Sequence, residues 1–331
     1  MELRTFGETG LKVSPIGLGM AALGRPGYIN LGHAHDLAHD YDVDTMEQRA
    51  HQVLDAAWGC GIRYFDAARS YGLGEKFLST WLNSRAVSRD SVTVGSKWGY
   101  TYTADWRIEA RAHEVKEHSL ATLERQYPES LALLDGYLRI YQIHSATAES
   151  GVLENGPVLQ KLGQLKSDGV RIGLTLSGPS QSETLRRAME TEIDGSRLFD
   201  SVQATWNLLE PSAGSALAEA HAAGIGVIIK EALANGRLTD RNQEPDFAST
   251  LEVLRTESRE LGTTTDALAL AVCLSQPFVD VVLSGAANTE QLLWNVQACQ
   301  LLLDQAILAR LLRLAEPPSV YWTTRSKLVW N

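Results

Sequence analysis

A chain of 331 residues with net charge −10, 44% apolar and 21% charged residues, has room for one α/β barrel with insertions and an ordinary globular composition. Its acids are spread along the chain and no basic face is concentrated anywhere, which excludes nucleic acid as an expected partner. No apolar run reaches about 20 residues, so no membrane span is expected.

Cys60, Cys273 and Cys299 form no C-x-x-C pair and read as reduced thiols. The opening Met-Glu-Leu-Arg-Thr-Phe lacks a basic segment ahead of an apolar one, so no secretory leader is expected and a cytoplasmic location is. Next, Leu3–Phe6 and Leu11–Val13 flank a glycine-bearing turn and predict a hairpin. Ile16–Gly19 is the first barrel strand, with Met20 and Ala21 at its mouth; no G-x-G-x-x-G spacing supports a Rossmann phosphate loop. Residues 24–44 are long, polar and glycine-rich, ahead of a helix starting near Thr45 or Met46. They contain His33, His35 and His39 with Asp36, Asp40 and Asp42. Such a run can bind metal, but a fourth ligand is not evident, and a wall or lid over a pocket is the better reading.

From Ile62 onward, short apolar strands alternate with amphipathic segments. Strands are predicted at Ile62–Phe65, Val92–Lys97, Leu138–His144, Val170–Leu176, Ser201–Ala204, Gly226–Ile229 and Val279–Leu283. Between and after them, helices are predicted at Gly74–Leu82, Ala112–Tyr127, Gly156–Lys166, Ser182–Thr191, Gly214–Ala223, Ser249–Leu261, Thr265–Leu274 and Thr289–Ala298. An additional helix is expected over Leu301–Leu314, followed by a Pro-led aromatic tail over 317–331 carrying Tyr321, Trp322 and Trp330. Eight such units in one domain over 1–331 predict an α/β fold, a closed parallel (β/α)8 TIM barrel plugged by the hairpin.

The strand ends carry the chemistry. Asp66 and Tyr71 follow the second strand, Lys97 ends the third and His144 the fourth. In a parallel barrel those ends converge on one face. A phenol with a pKa near ~10 is a poor proton donor unless its anion is stabilised. An ammonium paired with a carboxylate does that, and a histidine can orient a carbonyl oxygen. The set is an acid/base device with neither nucleophile nor metal cage.

These residues, with Gly10–Ser14, Gly17–Gly19, Gln203 and Ser284–Ala286, resemble the aldo-keto reductase superfamily over nearly the whole chain and in the same order. The resemblance implies oxidoreductase activity, with a nicotinamide cofactor bound without a Rossmann domain and Asp66, Tyr71, Lys97 and His144 as catalytic residues. It places cofactor contacts at Gly19, Met20, Ala21, Asp66, Thr175 and Gln203, and at Lys230, Glu231, Ala232, Leu233, Asn235 and Gly236. Further contacts fall at Ser284, Gly285, Ala286, Gln291 and Asn295. Where relatives carry a Ser-Asn pair, this chain has Thr175-Leu176, and where many carry an aromatic it has Lys230.

The superfamily habit favours NADP(H). The segment Ser284–Gln291 nonetheless lacks a basic residue for a 2′-phosphate, leaving NAD(H) open and Arg237 or Arg241 as substitutes. Trp98 and Trp206, just past the third and sixth strands, are expected to border a small carbonyl or sugar substrate. The expected reaction is hydride transfer between nicotinamide and a carbonyl or alcohol, with Tyr71 as general acid/base. The alternatives are an NAD-dependent sugar 1-dehydrogenase, a nucleotide-binding sensor or partner subunit with little turnover, and a metal-dependent hydrolase using the loop histidines.

Overall fold

The computed structural model describes residues 1–331. Eight parallel strands close on themselves: Ile16–Gly19 (β1), Tyr64–Asp66 (β2), Thr93–Trp98 (β3), Leu138–Ala146 (β4), Arg171–Leu176 (β5), Ser201–Thr205 (β6), Gly226–Lys230 (β7) and Val281–Ser284 (β8). Each strand lies beside its neighbours in the sequence, and β8 returns to β1 through Val282–Ile16, Leu283–Gly17 and Ser284–Leu18. This is the (β/α)8 barrel that the alternation predicts.

Strand periodicity sorts the side chains into two cores. Phe65, Tyr141, Val227, Ile229 and Val282 join the apolar layer between strands and helices. Their neighbours Tyr64, Ile140, Ile228 and Val281 point inward and meet Phe6 and Val13. Phe6 and Val13 come from the N-terminal hairpin, where Arg4–Thr5 pairs antiparallel with Lys12–Val13. The Phe6 ring occupies space that any side chain on Gly226 would need, since a Cβ there would sit 2.6 Å from it. One end of the barrel is thus filled, and a ligand can enter only at the strand C-termini.

Several boundaries differ from the sequence reading. The first long helix runs Val43–Gly59, two residues earlier than expected, because Asp42 caps it by accepting from the Thr45 N–H at 3.0 Å. The helix predicted from Ala112 begins only at Leu120, capped by Ser119, and continues past Pro128 to Leu134. Residues Glu114–Lys116 instead pair antiparallel with Tyr100–Tyr102 beside the barrel mouth. The segment predicted as helix over 301–314 is helical at Gln305–Leu311 with a 3-10 turn at Leu312–Leu314. The tail forms a further helix, Pro318–Ser326, begun by a proline whose missing N–H costs nothing there.

Residues 24–44 are not a loose polar loop. They contain a short helix, His33–Asp36, and bury Arg25, His33 and Leu37. Gly72 (φ +57°) lets this segment press against the loop after β2, where a Cβ would lie 2.5 Å from the Gly24 carbonyl. The tail crosses it: the Tyr28 and Asn331 backbones exchange two hydrogen bonds at 3.2 Å. Both segments cover the mouth of the barrel. No helix is long and apolar enough to cross a membrane.

Candidate active site

Four strand ends bring together the residues that the sequence singled out. Asp66 ends β2 and Lys97 lies in β3, both about 1% exposed. Their side chains form a salt bridge, and Lys97 Nζ also donates to the Ala67 carbonyl at 2.9 Å and to Tyr71 OH at 3.3 Å. Asp66 Oδ1 accepts from Gln203 Nε2 at 2.9 Å, and from Gln142 Nε2 and Tyr64 OH at 3.4 Å each. A carboxylate so supplied with donors stays in place and keeps the ammonium oriented. The His144 ring stands edge-on to Tyr71, with centroids 5.6 Å apart, and its Nδ1 lies 3.5 Å from Ser70 Oγ. Tyr71, Asp66 and His144 line one pocket, and Lys97 reaches its floor from behind.

Burial dominates the titration of this group. It pushes the Tyr71 phenol well above its ordinary range, with Asp66 adding to the rise and Arg25 opposing it. Burial lowers the Lys97 ammonium, against the pull of Asp66. Burial, then Lys97 and Arg25, hold the His144 ring well below the usual histidine value, so the imidazole is neutral at physiological pH. The arrangement holds a proton on Tyr71 and keeps an uncharged hydrogen-bonding ring beside it.

The pocket runs from this group along Lys230–Gly236 to Ser284–Ala286, Gln291 and Asn295. Of the expected cofactor positions, Gly19, Ala21, Asp66, Gln203, Lys230, Glu231, Ala232, Leu233, Asn235, Gly236, Ser284, Gly285, Ala286, Gln291 and Asn295 line it. Met20 does not: its side chain is buried in the outer core, and its carbonyl accepts from Gly24 at 2.9 Å to turn the chain. Thr175 does not either, because its Oγ1 is taken by the Ser145 N–H at 2.7 Å; Ser177 lines the pocket instead.

The two tryptophans expected at the substrate are elsewhere. Lys97 and Gln203 point into the barrel, so Trp98, one residue on, and Trp206, three on, point outward. Both are buried in the layer beneath the helices, Trp98 against His118 and Trp206 against Phe278. The aromatic wall is made by Tyr28, Tyr100 and Trp330. The loop histidines also separate. His33 is buried edge-on to Tyr28, its pKa lowered by burial to about 4, while His35 and His39 are exposed. No three His, Cys, Asp or Glu side chains are grouped to hold a metal ion.

Sequence reasoning missed two arginines. Arg25 is 3% exposed, donates to the Ser70 carbonyl and to Glu114, both at 2.9 Å, and lies 5.2 Å from the Tyr71 ring centroid and 4.7 Å from that of Trp330. Arg325, on the tail helix, forms a forked pair with Glu231 just past β7, its Nε 2.9 Å from Oε1. Glu231 adopts φ +56°, and Ser145 across the pocket φ +57°, conformations that non-glycine residues keep only where surroundings impose them. No local pattern marks either arginine, because each partner arrives from a distant part of the chain.

The Arg325 pair sets a testable pH response. Burial alone would raise the Glu231 carboxyl, but Arg325 and Lys230 outweigh it and hold it at about 2. A depressed carboxyl stabilises the fold above its unfolded value near ~4.3 and loses that contribution as pH falls towards the folded value. Arg325→Ala leaves a buried carboxylate short of its main partner and is expected to cost about 3–5 kcal/mol at pH 7. That deficit is expected to shrink as pH falls below about 4, where the stranded carboxylate takes up a proton and wild type loses its pair, in thermal melts between about pH 2.5 and 7.

Comparison with known proteins accounts for this arrangement. Residues 15–316 match the Aldo/keto reductase family. The chain belongs to that family. Aldo-keto reductases are NAD(P)H-dependent oxidoreductases of small carbonyl compounds, and this chain is an enzyme of that kind. L-galactose dehydrogenase of Arabidopsis thaliana is 27% identical over 342 residues, covering 96% of this chain and 95% of that protein. D-threo-aldose 1-dehydrogenase of a Pseudomonas species is 40% identical over 85 residues, 25% of this chain and 23% of that one. Among solved structures, the holo form of aldo-keto reductase AKR11C1 from Bacillus halodurans shares the fold. Its TM-score is 0.73 at 23% identity, with 96% of this aldo-keto reductase and 97% of that chain covered.

Proposed function

We propose that this aldo-keto reductase interconverts a carbonyl and an alcohol on a small polyhydroxylated substrate, with Tyr71 as the proton donor and acceptor. The observation that carries the reading is the Tyr71–Lys97–Asp66 chain of hydrogen bonds opening into an elongated pocket. Asn235 Oδ1 and Asn295 Oδ1 are buried acceptors without a partner, both on residues lining the pocket. Gly285 has open space where a Cβ would be, so a ligand can approach the backbone closely between β8 and the helix Thr289–Gln297. A bound nicotinamide dinucleotide supplies or accepts the hydride at the carbon bearing the reacting oxygen.

The chain's own residues do the rest. Tyr71, kept protonated by burial, gives its proton to the oxygen as negative charge develops there, and Lys97 Nζ stabilises the phenolate that remains. Asp66 holds the ammonium at that phenol. His144, neutral, donates a hydrogen bond to the same oxygen and fixes the face presented for reaction. Oxidation of the alcohol runs these steps in reverse.

A polyhydroxylated substrate is favoured by the wall around Tyr71: Tyr28, Arg25, Glu114, Tyr100 and Ser145 offer hydrogen-bonding groups, and Trp330 an aromatic face. The two relatives named for sugar oxidation support the same class. Absorbance at 340 nm with simple aldehydes, ketones, and aldoses in both directions tests the reading. Turnover unaffected by chelator and strongest with aldoses is expected; turnover confined to apolar ketones contradicts the substrate class.

Lys230 adds a pH dependence. Burial lowers its ammonium to about 8, against the pull of Glu231, and it donates to Thr205 Oγ1 at 2.8 Å. A pocket lysine that loses its proton near 8 attracts a dinucleotide's phosphates less above that pH. Dinucleotide affinity, measured by fluorescence titration, is expected to fall between about pH 7 and 9. In Lys230→Met that dependence is expected to flatten.

A further inference from the structure

With the nicotinamide beside Tyr71, as the proposed hydride transfer would require, the adenosine would fall farther along the pocket, at Arg241, Asp266, Gln291 and Asn295. This inference therefore rests on the pocket being the dinucleotide site proposed above. The hydrogen-bonding state of that end is specific. Arg241 is the cation there, and its fork is occupied by Asp36, with Nη1 2.5 Å from Oδ2 and Nη2 2.6 Å from Oδ1. The Asp36 side chain is 1% exposed. Asp36 Oδ1 also accepts from Gln291 Nε2 at 2.7 Å, while Gln291 Oε1 accepts from the Ala287 N–H at 2.9 Å. Asn295 Nδ2 donates to Ser284 Oγ at 2.8 Å.

These contacts occupy the forked edge of Arg241 and one N–H each of Gln291 and Asn295, and they leave acceptors. Asn295 Oδ1 is buried without a partner, and the Asp266 carboxyl lines the same end. The other basic residue considered for this role, Arg237, is tied to Glu316 at 3.0 Å and does not reach the pocket. A 2′-phosphate brings about two negative charges and acceptor oxygens only, so it needs a free guanidinium or ammonium fork. A ribose diol and an adenine amino group bring donors, which suit carboxylates and an unpaired amide oxygen.

We propose that this chain selects NAD(H) over NADP(H), and that Asp36, from the segment between β1 and the first long helix, enforces the choice by engaging Arg241 and Gln291. The superfamily habit points the other way. Asp36 acts as a specificity residue that no strand-end motif announces.

Isothermal titration calorimetry of NADH and NADPH against the wild-type chain, Asp36→Ala, Asp36→Asn and Asp36→Ala/Arg241→Ala tests this without recourse to turnover. Wild type is expected to bind NADH at least ~10-fold more tightly than NADPH. Asp36→Ala and Asp36→Asn release Arg241 and are expected to raise NADPH affinity ~10-fold, with NADH changed less than ~3-fold; the double variant loses the gain. Equal or tighter NADPH binding by wild type overturns the proposal, as does an unchanged ratio in both Asp36 variants. If the folded wild-type chain binds neither dinucleotide, the site assignment beneath it falls instead.

Discussion

Tyr71→Phe is expected to lower kcat by about 10³-fold while leaving dinucleotide affinity within ~2-fold of wild type, since a positioned general acid contributes of that order. The ring remains to pack against Arg25 and His144, so the fold and the pocket wall survive. What is lost is the hydroxyl that Lys97 Nζ reaches at 3.3 Å. Because burial holds the phenol well above its ordinary range, reduction by wild type should show no loss of activity from Tyr71 ionisation up to about pH 9. Steady-state kinetics across pH for both proteins checks the two statements together. Near-normal turnover in the phenylalanine variant would remove Tyr71 from the chemistry.

Lys97→Met is expected to damage both activity and stability. The Lys97–Asp66 pair is fully enclosed, and removing one partner leaves a buried carboxylate, at a cost of about 3–5 kcal/mol. Gln203, Gln142 and Tyr64 still donate to Asp66 Oδ1, which places the loss towards the lower end of that range. A fall in Tm of roughly 5–10 °C and in kcat of about 10²-fold or more are the expected readings. The double change Lys97→Met/Asp66→Asn should recover much of the Tm and none of the activity, since it removes the stranded charge without restoring the donor to Tyr71. Recovery of turnover in the double variant would show that Lys97 serves only to neutralise Asp66.

Much of the barrel was legible because its strands are short, apolar and bounded by turn residues, and because parallel closure leaves one face for polar strand ends. Asp66, Lys97 and His144 were readable as strand ends, and Tyr71 as the residue on the loop beyond; the structure brings them together. Trp98 and Trp206 were misread although the signal existed: counting by twos from Lys97 and Gln203 turns both outward. The same count brings in Thr205, whose Oγ1 joins Lys230 and Glu231. The helix predicted from Ala112 starts too early, because Ser119 caps the true start and Pro128 sits within the helix. Arg25, Arg325 and the Asp36–Arg241 pair were illegible for a different reason. Their partners lie 89, 94 and 205 residues away, and only the closed fold brings them together.

Hydride is expected to pass to a carbonyl carbon in the pocket as Tyr71 protonates the oxygen. A single turnover with NADH carrying deuterium at the transferring C4 position, with an aldose substrate and chelator present, followed by NMR of the product, reads this transfer. Deuterium on the former carbonyl carbon of the alcohol, and its loss as a detectable product in Tyr71→Phe on the same timescale, is the predicted result. Alcohol formed without deuterium at that carbon, or formed equally fast by the variant, would contradict it.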